Sequence, residues 1–224
     1  MTFFKNAAKY YKGEPHQDRA WDLLEEKLPK YILEEFKTAY RGSPEPSVGG
    51  VAVSKEFFGR VTGYKATLFT DIEVDDCNKL LEETGFNRSK ELAAMLLANI
   101  LHETGNMRWL KELASGWAYE GRADLGNTQP GDGPRFKGAG VLQLTGRHNY
   151  SRLSKALRDP RVMEGVDYVS TTYPFRSAMT WIKENGLLNV AKSQGFDAVC
   201  RRINGGWNGI DDRRMKFSLC LKHL

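Results

Sequence analysis

The sequence predicts a mainly α-helical protein, and three features carry that expectation. Apolar residues recur at three- and four-residue spacing along the first 41 residues, around residues 89–104, and from Tyr150 to Leu224. Alternating strand patterns are scarce from Val51 onward. The clearest periodic stretch also carries the start and stop chemistry of a helix.

Residues 1–41 read as a small helical hairpin. Trp21, Leu24 and Leu28 lie at helical spacing, Pro29 stands where a second helix would begin, and Ile32, Phe36 and Tyr40 follow. A pair this short buries too little to be secure alone. With Tyr10-Tyr-Lys-Gly13 and His16-Gln17 before it, it resembles small modules attached to phage and bacterial wall enzymes, which implies either a wall-targeting module or a spacer packed on its neighbour. Residues 42–50, rich in Gly, Ser and Pro, read as a linker. The main domain is then 51–224. Within it, Ser89 can cap a helix whose first turn holds Glu91. Leu92, Leu96 and Ile100 line one side with Ala93, Leu97 and Leu101 beside them, and Gly105 can end it. Eight glycines between Gly116 and Gly146 mark a long, tightly turning loop, and loops of that length are usually functional. Tyr150–Leu224 returns to helical spacing, broken near Pro160, Pro174 and Gly205-Gly206.

Composition excludes several classes. The chain has 224 residues with 41% hydrophobic content, which rules out wholesale disorder. A mean hydropathy of −0.52 and no apolar run near 18 residues argue against stable membrane insertion. Met1-Thr-Phe-Phe-Lys shows no apolar core of signal-peptide length, so synthesis in a cytoplasm without a leader is expected. Cys77, Cys200 and Cys220 are too few and too dispersed for a disulfide framework and read as buried thiols. The net charge of +5 suits a polyanionic partner, but no basic run marks a nucleic-acid tail, and nucleic acid is not expected as a partner.

Glu103 is the most informative residue. It follows Ile100 by three positions and Leu96 by seven, so it projects from the apolar stripe in the last helical turn. Burial and the negative helix end both disfavour ionisation there, and a carboxyl kept protonated suits a general acid. A helix-terminal Glu that bends out to water fits the same spacing. Glu112, nine residues on past a turn at Gly105-Asn106, is a second carboxylate that a bend can bring across a cleft; a solvated helix charge is the plainer alternative. Glu120 competes for the second role. Two carboxylates flanking a bond are the minimum equipment of glycoside hydrolysis. His102-Glu103 lacks a second His at zincin spacing, and no ligand cluster or phosphate loop is readable, so neither metal nor cofactor is expected. Trp109, Trp117, Trp181 and Trp207 suit sugar stacking, although core packing is the commoner fate of tryptophan.

Longer motifs extend this pattern. His102-Glu-Thr-Gly105, Glu112, the stretch Tyr119–Gly133, Phe136–Tyr150 with its Gln143-Leu-Thr145, Arg201-Arg-Ile-Asn-Gly-Gly206 and Asp211-Asp-Arg213 resemble, in order, the family 19 glycoside hydrolases, which include chitinases and phage endolysins. The resemblance covers about Val51 to Leu224 and implies a lysozyme-like helical domain of two lobes around a substrate cleft. It implies Glu103 as general acid, Glu112 as general base and Thr145 as a hydroxyl that helps hold the attacking water. Gln143, Asn149 and Asn204, with Tyr119 and Glu120, fall at sugar-binding positions. The family inverts at the anomeric carbon, which needs roughly 6.5–9.5 Å between carboxyl groups. One departure stands out: Ala139 occupies a position where the family usually has Arg, so a fixed cation is missing and the neighbouring carboxylates are expected to be held differently. The expected activity is cleavage of β-1,4 bonds in N-acetylglucosamine-containing polymers. Bacterial peptidoglycan, cut by a monomeric phage endolysin at the wall, is the first expectation. Chitin is the second, and a catalytically weak wall-binding or phage structural protein the third.

Overall fold

The computed structural model describes residues 50–224; the hairpin expected at 1–41 and the linker at 42–50, Gly50 apart, lie outside the described residues. Ten α-helices follow among the described residues: α1 (Lys55–Thr62), α2 (Asp71–Thr84), α3 (Lys90–Glu103), α4 (Asp132–Arg135), α5 (Arg147–Leu157), α6 (Val166–Thr172), α7 (Met179–Glu184), α8 (Leu187–Gln194), α9 (Phe196–Asn204) and α10 (Ile210–His223). The described residues form no strand, only isolated bridges from Ala139 to Lys111 and to Leu144.

Local chemistry starts the helices where the sequence says it should. Ser54, Thr70 and Ser89 cap α1, α2 and α3, and Thr70 forms a reciprocal capping box with Glu73. Beyond α3 the chain turns sharply through three consecutive left-handed residues, Gly105, Asn106 and Met107. Asn106 donates its N–H to the Leu101 carbonyl at 2.7 Å, and the Met107 N–H donates to the Thr104 hydroxyl at 2.8 Å. The non-glycine left-handed backbone is uncommon, and its place directly after Glu103 aims the chain back across the helix end.

The core has two parts. The larger surrounds α3, against which α8, α9 and α10 pack. Spacing predicts a one-sided apolar stripe on α3, but Ala93 through Leu101 are buried on every face. Helices arriving from far along the chain cover the sides that the local pattern leaves ambiguous. The smaller part gathers Phe136, Ala139, Tyr150, Leu153, Val162, Val166 and Val169, and Leu157 touches both. Asp76 of α2 accepts from the Phe175 and Arg176 backbone N–H groups at 2.8 and 3.0 Å and from Arg176 Nε at 2.6 Å. Cys77, Cys200 and Cys220 are free and buried, and burial raises all three thiols. The tryptophans depart from the core expectation: Trp109, Trp117 and Trp207 are exposed, and Trp181 is partly buried against the larger core.

Candidate active site

The glycine-rich stretch between α3 and α5 wraps the open end of α3 and brings the sequence-marked carboxylates towards one residue, Gln143. Glu103 ends α3 and, with Leu142, Gln143, Trp181 and Ile203, lines a half-open recess of about 170 Å³. Its side chain is 30% exposed, so it is not sealed among apolar groups as the spacing implied. Arg213 of α10, 1% exposed, donates to Glu103 Oε1 through Nη2 and to Asn99 Oδ1 through Nη1 at 2.6 Å. Glu103 Oε2 has no hydrogen-bond partner among the described residues.

The neighbouring residues repeat the pattern. His102 Nδ1 lies 2.5 Å from Asp212 Oδ2, and Asp212 Oδ1 accepts from Lys216 at 2.7 Å. Partial burial would push the Asp212 carboxyl up, but the bonds from Lys216 and His102 hold it below the usual carboxylate range. Two successive residues of α3 thus pair with two successive residues of α10, which locks the two helices in register. The motif Asp211-Asp-Arg213 is visible in the sequence; its partners, about 110 residues away, are not.

Glu112 does not sit on a helix. It follows Lys111, which bridges to Ala139. Its N–H donates to the Gly138 carbonyl at 2.9 Å, its Oε2 accepts from the Gly138 N–H at 2.7 Å, and its Oε1 accepts from the Tyr119 hydroxyl at 3.1 Å. Tyr119, expected on the sugar, therefore holds a carboxylate, and its phenol is raised by desolvation first and by Glu112 second. Glu112 forms no ion pair among the described residues. Two neutral donors hold it, and Ala139, where the resemblance implied Arg, is fully buried in the smaller core part.

Gln143 neighbours both carboxylates. It lines the Glu103 recess, adopts a left-handed backbone at φ 53°, and donates through Nε2 to the Gly140 carbonyl at 3.0 Å. A Cβ on Gly138 would lie 3.0 Å from Glu112 Oε2 and closer still to Gln143 Oε1. Both side chains thus converge over a backbone that only glycine leaves open. Gly138→Ala is expected to displace Gln143 or Glu112, lowering turnover at least about tenfold while costing roughly 1–3 kcal/mol of stability. Steady-state rates beside a melting curve check it, and unchanged turnover would contradict this packing.

The other marked residues are distributed unevenly. The Thr145 hydroxyl donates to the Gln143 carbonyl at 2.9 Å, and Asn149 Nδ2 donates to the Thr145 carbonyl at 2.8 Å, so both brace the Gln143 turn. Asn204 ends α9, beside the recess residue Ile203, with its buried Nδ2 lacking any partner. Glu120 staples the loop, since its two oxygens accept from the Gly131 and Gly133 N–H groups, each at 2.8 Å. Asp132, paired with Arg147 and held below the usual carboxylate range chiefly by that bond, secures the same loop. No group of three His, Cys, Asp or Glu side chains suited to a metal occurs among the described residues.

Comparison with known proteins follows the same lines. No family model matches the chain. A glycosyl hydrolase family 19 domain-containing protein of Haemophilus influenzae is 26% identical over 197 residues, covering 74% of this chain and 92% of that one. An endochitinase of Arabidopsis thaliana is 37% identical over 119 residues, covering 52% of this chain. The chain spans only 40% of that plant relative's length. Among solved structures, chitinase C from Streptomyces griseus superposes with a TM-score of 0.54 at 21% identity, covering 79% of this chain and 94% of that one. A bacterial family 19 chitinase matches at the same TM-score and identity, over 75% of this chain. The helical architecture agrees with the lysozyme-like fold expected of such proteins. By sequence over most of its length, and by fold, the chain is similar to family 19 glycoside hydrolases and chitinases.

Proposed function

We propose that the protein hydrolyses β-1,4-glycosidic bonds in N-acetylglucosamine-containing glycans with inversion, and that its substrate is the peptidoglycan of a bacterial wall, as for a phage endolysin. The observation that carries this is Gln143 neighbouring two differently held carboxylates, Glu103 bonded by a buried guanidinium and Glu112 by neutral donors. Glu103 gives the proton on Oε2 to the leaving oxygen. Glu112 takes a proton from water, which attacks the opposite face of the sugar. Thr145 and Gln143 help place that water, Asn149 supports their turn, and Asn204 ends α9 beside the recess residue Ile203. Likeness to a family 19 protein over most of the chain supports glycan hydrolysis. The basic net charge supports an anionic wall over neutral chitin. Synthesis in a host cytoplasm and action at the wall, as a monomer, belong to the same reading.

Chitin is the second reading, favoured by the names of the plant and Streptomyces relatives. Zymography on purified sacculi and on glycol chitin, with product analysis, separates the two: clearing of chitin alone would remove peptidoglycan. Clearing of neither would leave only the third class, a wall-binding protein without turnover. Within the proposed mechanism, Glu112→Gln is expected to lose about a hundredfold or more in turnover. Glu120→Gln should lose less, because that carboxylate serves the 131–133 turn. Matched rate measurements check the order, and its reversal would move the base role to Glu120.

A further inference from the structure

A second recess, of about 260 Å³, opens between α8 and α9, and neither carboxylate lines it. Its lining is Val190 and Gln194 from α8 with Ala198, Arg201 and Arg202 from α9. The two arginines are neighbours in sequence, both exposed, and neither meets a carboxylate among the described residues. That distinguishes them from Arg147, Arg176, Arg213 and Arg214, each committed to an acid. The acid nearest in sequence, Asp197, is taken by Arg214 at 2.7 Å, with Arg201 adding only a weaker pull on its carboxyl. The Arg201 guanidinium carbon also lies 4.8 Å over the ring of Trp207, which is 52% exposed, so the exposed indole braces that guanidinium.

We propose that this recess is a subsite for the peptide stem of peptidoglycan, pairing a stem carboxylate with Arg201 and Arg202 while a small stem side chain rests on Val190 and Ala198. Planar guanidinium forks match carboxylates, and the Gln194 amide can serve a peptide group. Chitin carries neither charge nor peptide, so the recess answers only to the wall polymer. Its position fits. Ile203, the residue after Arg202, lines the Glu103 recess, so the two sites flank one helix. A helix with its side chains is about 10–12 Å across, and four extended stem residues reach about 13 Å. Successive helical residues point about 100° apart, an arc of about 10 Å on that surface. A stem hanging from a sugar in the cleft can therefore pass around α9 from Ile203 to the arginines. This inference rests on the proposed action on wall glycan and adds the part of the substrate that discriminates.

The test uses the full chain and the double variant Arg201→Gln/Arg202→Gln. Activity is measured on sacculi with their stems and on the same sacculi stripped of stems by an amidase. The variant is expected to lose about tenfold on stem-bearing walls and to match the parent on stripped glycan. Equal loss on both substrates, or none on either, overturns the subsite. A measurement independent of hydrolysis accompanies it: free stem peptide is titrated to millimolar concentration while the Trp207 indole N–H is followed by NMR. The parent should respond, the carboxyl-amidated peptide should not move it, and the variant should not respond to either. No response in the parent, or an equal response to the amidated peptide, overturns the subsite even if wall glycan is cut. A protein that binds the stem but cuts no glycan keeps the subsite and loses the hydrolytic reading.

Discussion

Replacing Glu103 with Gln is expected to lower turnover by about a hundred- to ten-thousand-fold on whichever glycan the protein cuts, with the fold retained. The amide keeps the shape of the acid, and its oxygen can still accept from Arg213, but it has no proton acidic enough for a leaving oxygen. Arg213 keeps its bond to Asn99. Loss of charge opposite a buried guanidinium should still cost roughly 1–2 kcal/mol, discounted because Glu103 is partly open to water. Product-release rates beside circular-dichroism melting separate the two effects. A variant that keeps more than about a tenth of the parent rate, a barrier change under ~1.4 kcal/mol, removes Glu103 from the acid role.

Arg213→Ala is expected to be the most damaging single change to stability. The side chain is the largest among the fully buried ones and spans α3 and α10. Without it, Glu103 and Asn99 lose their donor, and a cavity opens between two helices that otherwise pack closely. Removing one partner of such a pair costs about 3–5 kcal/mol, or a fall in melting temperature on the order of 10 °C for a chain of this size. Activity should fall with it, because Glu103 loses the contact that sets its orientation. Arg213→Lys keeps the charge but not the two-pronged reach to Asn99 and Glu103, and should recover only part of the stability. A melting temperature unchanged by Arg213→Ala would show that the α3–α10 junction does not depend on this residue.

Features that depend on a few consecutive residues are legible in the sequence. The cap at Ser89, the stop after Glu103 and the glycine-marked loop all follow from local backbone and side-chain preferences, and all stand in the structure. The features that escape it have partners that are distant in sequence. Nothing in the spacing around Glu103 announces Arg213, or around His102 announces Asp212. Nor does the run Tyr119-Glu120 reveal which side chain faces the neighbouring carboxylate and which staples a loop; the turn at Gly116–Gly121 decides it, sending Tyr119 to Glu112 and Glu120 to the 131–133 backbone. The tryptophans depart from expectation for a related reason. Residue type sets only an average burial, whereas Trp117 and Trp207 lie on turns with no helix arriving to cover them.

The sequence by itself determined that this chain is helical, that α3 carries a carboxylate in its last turn, and that two acids precede a glycine-rich loop bearing the Gln143-Leu-Thr145 motif. These follow from periodicity, capping and turn chemistry, which act over a few residues. Only the tertiary structure decided that α3 is enclosed on every face, that a buried guanidinium meets Glu103, that neutral donors hold Glu112, and that Arg201 and Arg202 share a recess without a carboxylate partner among the described residues. Burial and electrostatic pairing arise from segments about a hundred residues apart meeting in space, and no local pattern encodes which ones meet.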